Sequence, residues 1–131
     1  FWGDICGVAP AGAPGPHFAE LRRLVGGALD HAISLVRPGA IPEEIDAATR
    51  AFIEKRGHQA YPHHTGHGIG VSYHEEPRIV AGNRTPLEEG MVIALEPGVY
   101  LPRVGGVRLE DVVLVTARGA EVLTRHRHAH S

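Results

Sequence analysis

Apolar side chains recur at close to the 3.6-residue period of one helix face between His17 and Val36. Gly26 and Gly27 interrupt the middle of this stretch, and each weakens a helix by about 1 kcal/mol relative to alanine. The regularity of the apolar row nevertheless predicts one helix with a buried side. The residues in the row are Phe18, Leu21, Val25, Leu29, Ile33 and Val36.

A second helix is predicted from Pro42 to Arg56. Proline at the first helical position, followed by Glu43 and Glu44, suits the positive end of a helix, and Gly57 suits its C-terminal stop. The residues that mark its predicted buried side are Ile45, Ala48 and Phe52.

Beyond residue 90 the chain changes to short runs of valine, leucine and isoleucine separated by glycine and proline, which is typical of strands. A strand end followed by a loop is also predicted at residues 1–16. Two helices followed by several strands predict an α+β class, in which helices cover one face of a mostly antiparallel sheet. The strands predicted after the helices are Met91–Glu96, Gly98–Leu101, Gly106–Val115 and Glu121–Leu123.

Two glutamates interrupt apolar rows of these predicted strands. Alternation of side chains places Glu96 in one row and Glu110 in another. The first row holds Val92 and Ala94, and the second holds Arg108, Val112 and Leu114. A buried, unpaired carboxylate costs several kcal/mol, so each acid needs a counter-charge, which a divalent metal supplies. A salt bridge, for Glu110 with Arg108 or Arg103, is the alternative.

The segment His63–Glu76 (HHTGHGIGVSYHEE) combines histidines, glycines and acids. Glycines on both sides of His67 allow close packing of the backbone, so that its imidazole can be held against a ligand. A buried structural histidine is the alternative. One histidine with several carboxylates suits manganese, iron(II), cobalt or zinc, and differs from a cysteine-rich structural zinc site. These residues predict a metallohydrolase.

Composition restricts the remaining possibilities. The 131 residues suffice for one domain or one piece of a domain. A net charge of −2, without a basic run interleaved with aromatics, argues against a nucleic-acid partner. No apolar stretch approaches the roughly 20 residues needed to span a bilayer. The single cysteine, Cys6, excludes an intrachain disulfide and favours a reducing compartment, the cytoplasm.

The two ends of the chain carry their own expectations. Residues 125–131 (RHRHAHS) are predicted to be a polar tail. The chain begins at Phe1 rather than at methionine, so the natural protein is expected to extend further upstream.

Four blocks follow one another along the chain: HHTGHGIG, YHEEP, EGMVIALEPGVY and GGVRLEDVVLVT. This order resembles the C-terminal half of the pita-bread metallopeptidases, most closely the branch that contains prolidase and aminopeptidase P. The resemblance runs over essentially the whole chain, including the helices before the first block. It implies that residues 1–131 are part of a pita-bread catalytic domain whose N-terminal half is missing.

In this family two metals are bound by two aspartates, one histidine and two glutamates. By match to the motifs, the resemblance implies that the ligands here are Asp4, His67, Glu96 and Glu110. The first family aspartate, which serves only one metal position, lies upstream of Asp4 and has no counterpart in this chain. The resemblance thus implies two divalent ions in the full-length protein, manganese before cobalt, zinc or iron, and at most one held well here.

The resemblance also implies how the surrounding residues act. Glu96 matches the ligand that serves as general base, and His63 and His74 match histidines that bind the peptide and stabilise the tetrahedral intermediate. Arg108 matches an arginine that contacts the substrate or the metal ligands. The implied reaction is hydrolysis of an Xaa-Pro peptide bond by metal-bound hydroxide, with Glu96 transferring the proton.

Other classes of protein share some of these residues. Methionine aminopeptidase shares the ligands, but EPGVY and VRLEDVVLVT are closer to prolidase. Creatinase-like enzymes use no metal, and the joint presence of His67, Glu96 and Glu110 argues against them. The non-enzymatic alternatives are a pita-bread module that binds a partner protein and a fragment that is inert because half of its domain is missing. A homodimer is implied by the resemblance alone.

Overall fold

The structure is a computed structural model that describes residues 5–8, 16–69 and 77–124. Within these ranges the chain forms two helices and eight strands. The helices are α1 (Pro16–Leu35) and α2 (Pro42–Glu54). The strands are β1 (Ile5–Val8), β2 (Gly66–Gly68), β3 (Arg78–Ile79), β4 (Val92–Leu95), β5 (Gly98–Leu101), β6 (Gly105–Leu109), β7 (Asp111–Thr116) and β8 (Gly119–Val122).

The strands form two antiparallel sheets, one with the order β3-β2-β4-β7-β8 and the other with the order β1-β6-β5. The chain passes from β4 to β5 through Glu96 and Pro97, and from β6 to β7 through Glu110 alone. Because β5 pairs with β6 in one sheet and β4 with β7 in the other, these four strands make one long hairpin with a bend in its middle. The two sheets meet at this bend.

The hydrophobic core lies between the helices and one face of the sheets. Ile93 and Leu95 of β4 and Val113 and Val115 of β7 are buried there together with Leu29 of α1. Helices on an antiparallel sheet are the α+β arrangement that the sequence predicts. Neither described helix has both the length and the apolar composition to cross a membrane.

Gly27, in the middle of α1, is explained by helix packing. The helix runs unbroken from Pro16 to Leu35, within one residue of the prediction at each end. A Cβ on Gly27 would lie 2.8 Å from the ring of Phe52 in α2. The lack of a side chain there lets the two helices approach each other closely.

The buried face of α2 is more polar than predicted. Ile45 is buried as expected, but Ala48 and Phe52 are only half-buried. Asp46 and Thr49 are buried in addition. A helical period identifies apolar residues, whereas a buried polar residue depends on a partner elsewhere in the chain. The helix also ends at Glu54, two residues before the predicted end.

The prediction of one strand over Gly106–Val115 is wrong, because Glu110 divides it between the two sheets. Arg108 lies in β6, whereas Val112 and Leu114 lie in β7, so these residues do not form one continuous row. β2 and β3 were not predicted, because strands of three and two residues, one of them with two glycines, are too short for a pattern. The other strands lie within two residues of their predicted bounds.

A hydrogen-bonded cluster joins the start of α2 to the loop before β4. Glu43 Oε1 accepts a hydrogen bond from Arg84 Nη1 at 2.8 Å, and its Oε2 accepts one from the backbone N–H of Gly82 at 2.7 Å. Arg84 Nη2 also lies 3.4 Å from Glu44 Oε2. The hydrogen bond from Arg84 and then that from Gly82 lower the pKa of Glu43.

Glu43 should therefore contribute to the acid sensitivity of the fold. Because its pKa is lower in the folded chain, the ionised carboxylate adds stability above its ordinary pKa, and this is lost as the pH falls through the lowered value. Glu43→Gln should flatten the decline in the free energy of unfolding between about pH 7 and about pH 3, by a small amount because the pair is exposed. Urea unfolding at both pH values measures this, and Arg84→Gln is the matched variant. An undiminished decline in both variants would contradict the prediction.

Candidate metal centre

Because Gly66 has no side chain, β2 can lie close to β4. This close approach places His67 beside β4. In the β2–β4 ladder Gly66 pairs with Leu95 and His67 pairs with Ala94. A Cβ on Gly66 would overlap the carbonyl oxygen of Ala94. Since Ile93 and Leu95 point into the core, alternation places His67 and Ala94 on the opposite face of the sheet.

Glu96 lies at the bend between β4 and β5. Its backbone N–H donates to the carbonyl oxygen of Thr65 at 2.7 Å, which continues the contact between β2 and β4 by one residue. Its side chain is 17% exposed, and its Oε2 lies 3.6 Å from His67 Nε2. The carboxylate of Glu96 is thereby held against the imidazole of His67.

The register of the long hairpin brings Glu110 across from Glu96. On one side of the bend residue 95 pairs with residue 111, and on the other side residue 98 pairs with residue 108. Glu96 and Glu110 fall between these two pairs on opposite strands. One potential ligand atom from each of His67, Glu96 and Glu110 lies within 4.8 Å of the other two. The structure thus brings together three of the four predicted ligands.

Several effects act on the ionisation of Glu96. Burial opposes its charged form, but a hydrogen bond from His67, the charges of His67 and Arg108 and a hydrogen bond with Glu110 together hold the pKa of Glu96 below its ordinary value. Glu96 is therefore a carboxylate at neutral pH. The carboxyl group of Glu110 lies within the same small space, where two ionised carboxylates would repel each other unless a cation lay between them.

Two further predicted residues are described, and both lie outside the three-residue cluster. Arg108 is half-buried in β6 and acts on Glu96 through its charge. His63 lies in the segment between α2 and β2, and its Nε2 lies 2.7 Å from the hydroxyl oxygen of Tyr100. His63 therefore belongs to a separate hydrogen-bonded group, which connects to the sheet through Tyr100 of β5.

Asp4 and His74 lie outside the described residues, and so does the predicted tail at residues 125–131. Their assignments stay predictions. β1 begins directly after Asp4 in the sequence, and its first residue, Ile5, pairs with Leu109, the residue before Glu110.

The residues that surround His63 were missed at the level of sequence. Arg50 donates to its backbone carbonyl, and Tyr61 stacks on its ring. Asp46 and Thr65 share a hydrogen bond close by. One signal was available in the sequence. Asp46 and Thr49 fall on the same side of α2 as Ile45, which indicates that this helix makes a buried polar contact. The identity of the partner was not available from the pattern.

The three clustered side chains suit a divalent cation. One imidazole nitrogen and two carboxylate oxygens form a borderline-to-hard ligand set, appropriate to manganese, iron(II), cobalt or zinc. The side chains come from β2 and from the two sides of the bend, and all three are partly buried rather than fully exposed. The cluster could hold one cation.

Comparison with known proteins agrees with this geometry. Residues 1–117 match the model of metallopeptidase family M24. The Xaa-Pro dipeptidase of Pyrococcus furiosus is 42% identical over 123 residues, which are 93% of this chain and 35% of that protein. The dipeptidase PepE of Mycobacterium ulcerans has a TM-score of 0.79 at 43% identity, over 86% of this chain and 31% of the other. The X-Pro aminopeptidase of Thermotoga maritima has a TM-score of 0.83 at 35% identity, over 92% and 35%.

The chain spans about a third of the length of these three relatives, in the C-terminal part of their catalytic domain. The structural similarity to prolidases confirms the pita-bread arrangement of helices on an antiparallel sheet. With a family match over most of its residues and a partly buried His-Glu-Glu cluster at the bend of its sheets, this chain belongs to metallopeptidase family M24.

Proposed function

We propose that this chain carries part of the catalytic centre of a metal-dependent peptidase that cleaves Xaa-Pro peptide bonds. The observation that supports this most directly is the convergence of His67, Glu96 and Glu110 on a space of cation size. The names of the Pyrococcus furiosus and Thermotoga maritima relatives support the substrate class. Both relatives are longer than this chain, so the proposal concerns the natural protein that contains it.

His67, Glu96 and Glu110 would hold the cation, and Asp4 is proposed as a fourth ligand ahead of β1. A divalent cation, when bound, supplies Lewis-acid activation of a water molecule and stabilises negative charge that develops on the peptide carbonyl oxygen. We propose manganese, with cobalt, zinc or iron as the alternatives that the same ligand set accepts.

Side chains of the chain perform the proton transfers and the positioning. Glu96, kept ionised by His67 and Arg108, is proposed to take a proton from the attacking water and to pass it to the leaving amine nitrogen. His63 and His74 are proposed to bind the peptide and to stabilise the oxyanion. Arg108 is proposed to stabilise the negative charge of Glu96 and to contact the substrate.

The alternatives receive less support. The clustering of His67, Glu96 and Glu110 is unexpected for a non-catalytic module or a metal-free enzyme, because two ionised carboxylates at this separation would repel each other unless a cation lay between them. Methionine aminopeptidases share these ligands, so the choice between them and Xaa-Pro peptidases is a question of substrate. Homodimerisation and a cytoplasmic location stay predictions, from the resemblance and from the single cysteine respectively.

A panel of peptides tests the proposal. The natural protein, with all residues that its gene encodes upstream, should hydrolyse an Xaa-Pro dipeptide or the first bond of an Xaa-Pro-Yaa tripeptide. Activity should disappear after treatment with a chelator and return with manganese. Cleavage of the dipeptide alone would identify a dipeptidase, and cleavage of the tripeptide an aminopeptidase. Preference for a Met-Ala-Yaa peptide, or activity that survives the chelator, would contradict the proposal.

Metal binding by the chain itself is a separate test of the same centre. Calorimetric titration of residues 1–131 with manganese should show at most one tight site, because the chain contains ligands for only one of the two family positions. His67→Ala should remove that site, whereas His64→Ala, at an exposed neighbouring histidine, should leave it intact. Two equally tight sites would contradict the prediction.

A further inference from the structure

Arg50 of α2 holds the backbone on both sides of Pro62. Its Nε donates to Asp46 Oδ1 at 3.0 Å, within the helix. Its Nη1 donates to the carbonyl oxygen of Tyr61 at 2.6 Å, and its Nη2 donates to that of His63 at 2.7 Å. Hydrogen bonds from a charged donor are stronger than neutral ones. One guanidinium therefore fixes the course of the chain as it enters His63.

Asp46 holds the same segment at its far end. Its side chain is 5% exposed, and its Oδ1 accepts a hydrogen bond from Thr65 Oγ1 at 2.6 Å. Because the only hydroxyl hydrogen of Thr65 points to this carboxylate, the Thr65 oxygen accepts a second hydrogen bond from the hydroxyl of Tyr61. Burial raises the pKa of Tyr61 to about 12, so this hydroxyl keeps its proton at neutral pH. Tyr61 and Thr65 are thus tied together on either side of His63.

The rings in this group are stacked. The guanidinium carbon of Arg50 lies 4.4 Å from the centroid of the Tyr61 ring. The rings of Tyr61 and His63 have centroids 4.9 Å apart and planes 25° apart. One face of the imidazole therefore rests on an aromatic ring that is itself held by a cation.

The two nitrogens of His63 are also fixed. Its Nδ1 lies 2.9 Å from the carbonyl oxygen of His64, which can only accept, so Nδ1 carries the hydrogen. In the neutral ring Nε2 then accepts a hydrogen bond from the hydroxyl of Tyr100 at 2.7 Å. Tyr100 lies across two glycines: a Cβ would lie 2.7 Å from its hydroxyl at Gly98 and 2.6 Å from its Cδ1 at Gly106. The sheet therefore leaves room for Tyr100 to lie where it contacts His63.

We propose that Arg50 and Asp46 are positioning residues that hold His63 in its Nδ1–H tautomer, with Nε2 directed to Tyr100. Without the guanidinium of Arg50, the carbonyl groups of Tyr61 and His63 lose their hydrogen-bond donor. The Tyr61 ring, on which the imidazole of His63 stacks, also loses its contact with the cation. Lysine cannot replace arginine here, because a single ammonium lacks the planar fork that contacts two carbonyls and a carboxylate together. The effect of Arg50 on hydrolysis rests on the proposed role of His63 in peptide binding, whereas its effect on the tautomer of His63 does not.

Nitrogen NMR of the natural protein labelled with nitrogen-15 histidine tests the arrangement itself. His63 should show the Nδ1–H tautomer, and its signal is identified by its loss in His63→Gln. Arg50→Lys and Arg50→Ala should convert this signal to that of a mixture of tautomers. Arg56→Ala is the matched control, because Arg56 lies over the ring of Phe52 and donates a hydrogen bond to the backbone carbonyl of Phe52, one helical turn earlier. A signal in Arg50→Lys identical to that of the unsubstituted protein would overturn the inference.

Kinetics test the consequence for the reaction. Arg50→Lys should raise KM for an Xaa-Pro peptide about tenfold, with a smaller change in kcat, because metal and proton transfer lie elsewhere. Asp46→Asn should shift KM and the His63 signal in the same direction, which keeps the test decisive if Arg50→Lys does not fold. Unchanged KM in both folded variants, with His63→Gln impaired, would overturn the inference. Normal hydrolysis by His63→Gln would instead refute the proposed role of His63, and the NMR result alone would then decide the role of Arg50.

Discussion

Glu96→Gln should lower kcat/KM for Xaa-Pro peptides by at least about 100-fold in the natural protein, the lower end of what a proton-transferring group contributes. Glutamine has nearly the size of glutamate, so it preserves the backbone hydrogen bond from residue 96 to Thr65 and the packing at the bend. It removes the negative charge that would bind the cation and accept the proton of the attacking water. The substitution separates chemistry from folding.

Three measurements check this expectation together. Steady-state kinetics should show the loss in kcat/KM, and calorimetry should show weaker manganese binding. Thermal unfolding without metal should show at most a small loss of stability, because glutamine keeps the packing and loses only the contacts of the carboxylate with His67 and Arg108. Glu89→Gln, at an exposed glutamate in the turn before β4, is the control and should behave like the unsubstituted protein. If Glu96→Gln retained more than a tenth of the activity, Glu96 would not be the general base.

Gly66→Ala should destabilise the fold by about 3 kcal/mol or more, the upper part of the range for overpacked sites. The added methyl group would overlap the carbonyl oxygen of Ala94, which is a backbone atom of the neighbouring strand and cannot rotate away. The ladder between β2 and β4 would have to open, and His67 would then move away from Glu96. We therefore expect a loss of manganese affinity together with the loss of stability.

Gly27→Ala provides a control with the same chemical change. Its Cβ would also meet a close neighbour, at 2.8 Å, but that neighbour is the far end of the partly exposed ring of Phe52. The ring can shift, and alanine favours the helix by about 1 kcal/mol over glycine. Urea unfolding should therefore show Gly27→Ala to be close to neutral and Gly66→Ala to be strongly destabilised. Similar stability of the two variants would contradict the importance of the close approach at β2.

The helices could be predicted from the sequence because their signals are local. The row from Phe18 to Val36 carries the helical period, and proline and acids mark the start of α2 at Pro42. Both helices lie within two residues of their predicted bounds. Gly27 of α1 is unfavourable by local propensity alone. Its reason lies in Phe52, more than 20 residues away, which no local pattern contains.

The candidate site was accessible for a different reason. An acid in an apolar row is conspicuous whether or not the strand is continuous, so the sequence indicates Glu96 and Glu110 although the predicted strand around Glu110 is wrong. The interruption depends on the passage of the chain between two sheets, which is a property of the fold as a whole. The predicted row ends at Glu110 itself, because β6 and β7 belong to different sheets.

The support beneath His63 could not be predicted. Arg50 and Asp46 lie on a helix whose apolar pattern gives no hint of the segment they hold, 11 and 19 residues further along the chain. Their contacts are between a side chain and a distant backbone carbonyl, or between two polar side chains. Such contacts follow from how α2 lies against β3 and the segment before β2, and they become visible only in three dimensions.

The bend in the long hairpin has a mechanical consequence. Each of the two facing acids occupies the residue at which one strand leaves its sheet and the chain enters the other. A cation bound by both Glu96 and Glu110 would cross-link the two sheets. Occupancy of the ion site and rigidity of the bend would then increase together. Any substitution that widens the angle between the sheets would then weaken ion binding, however far from the ion it lies.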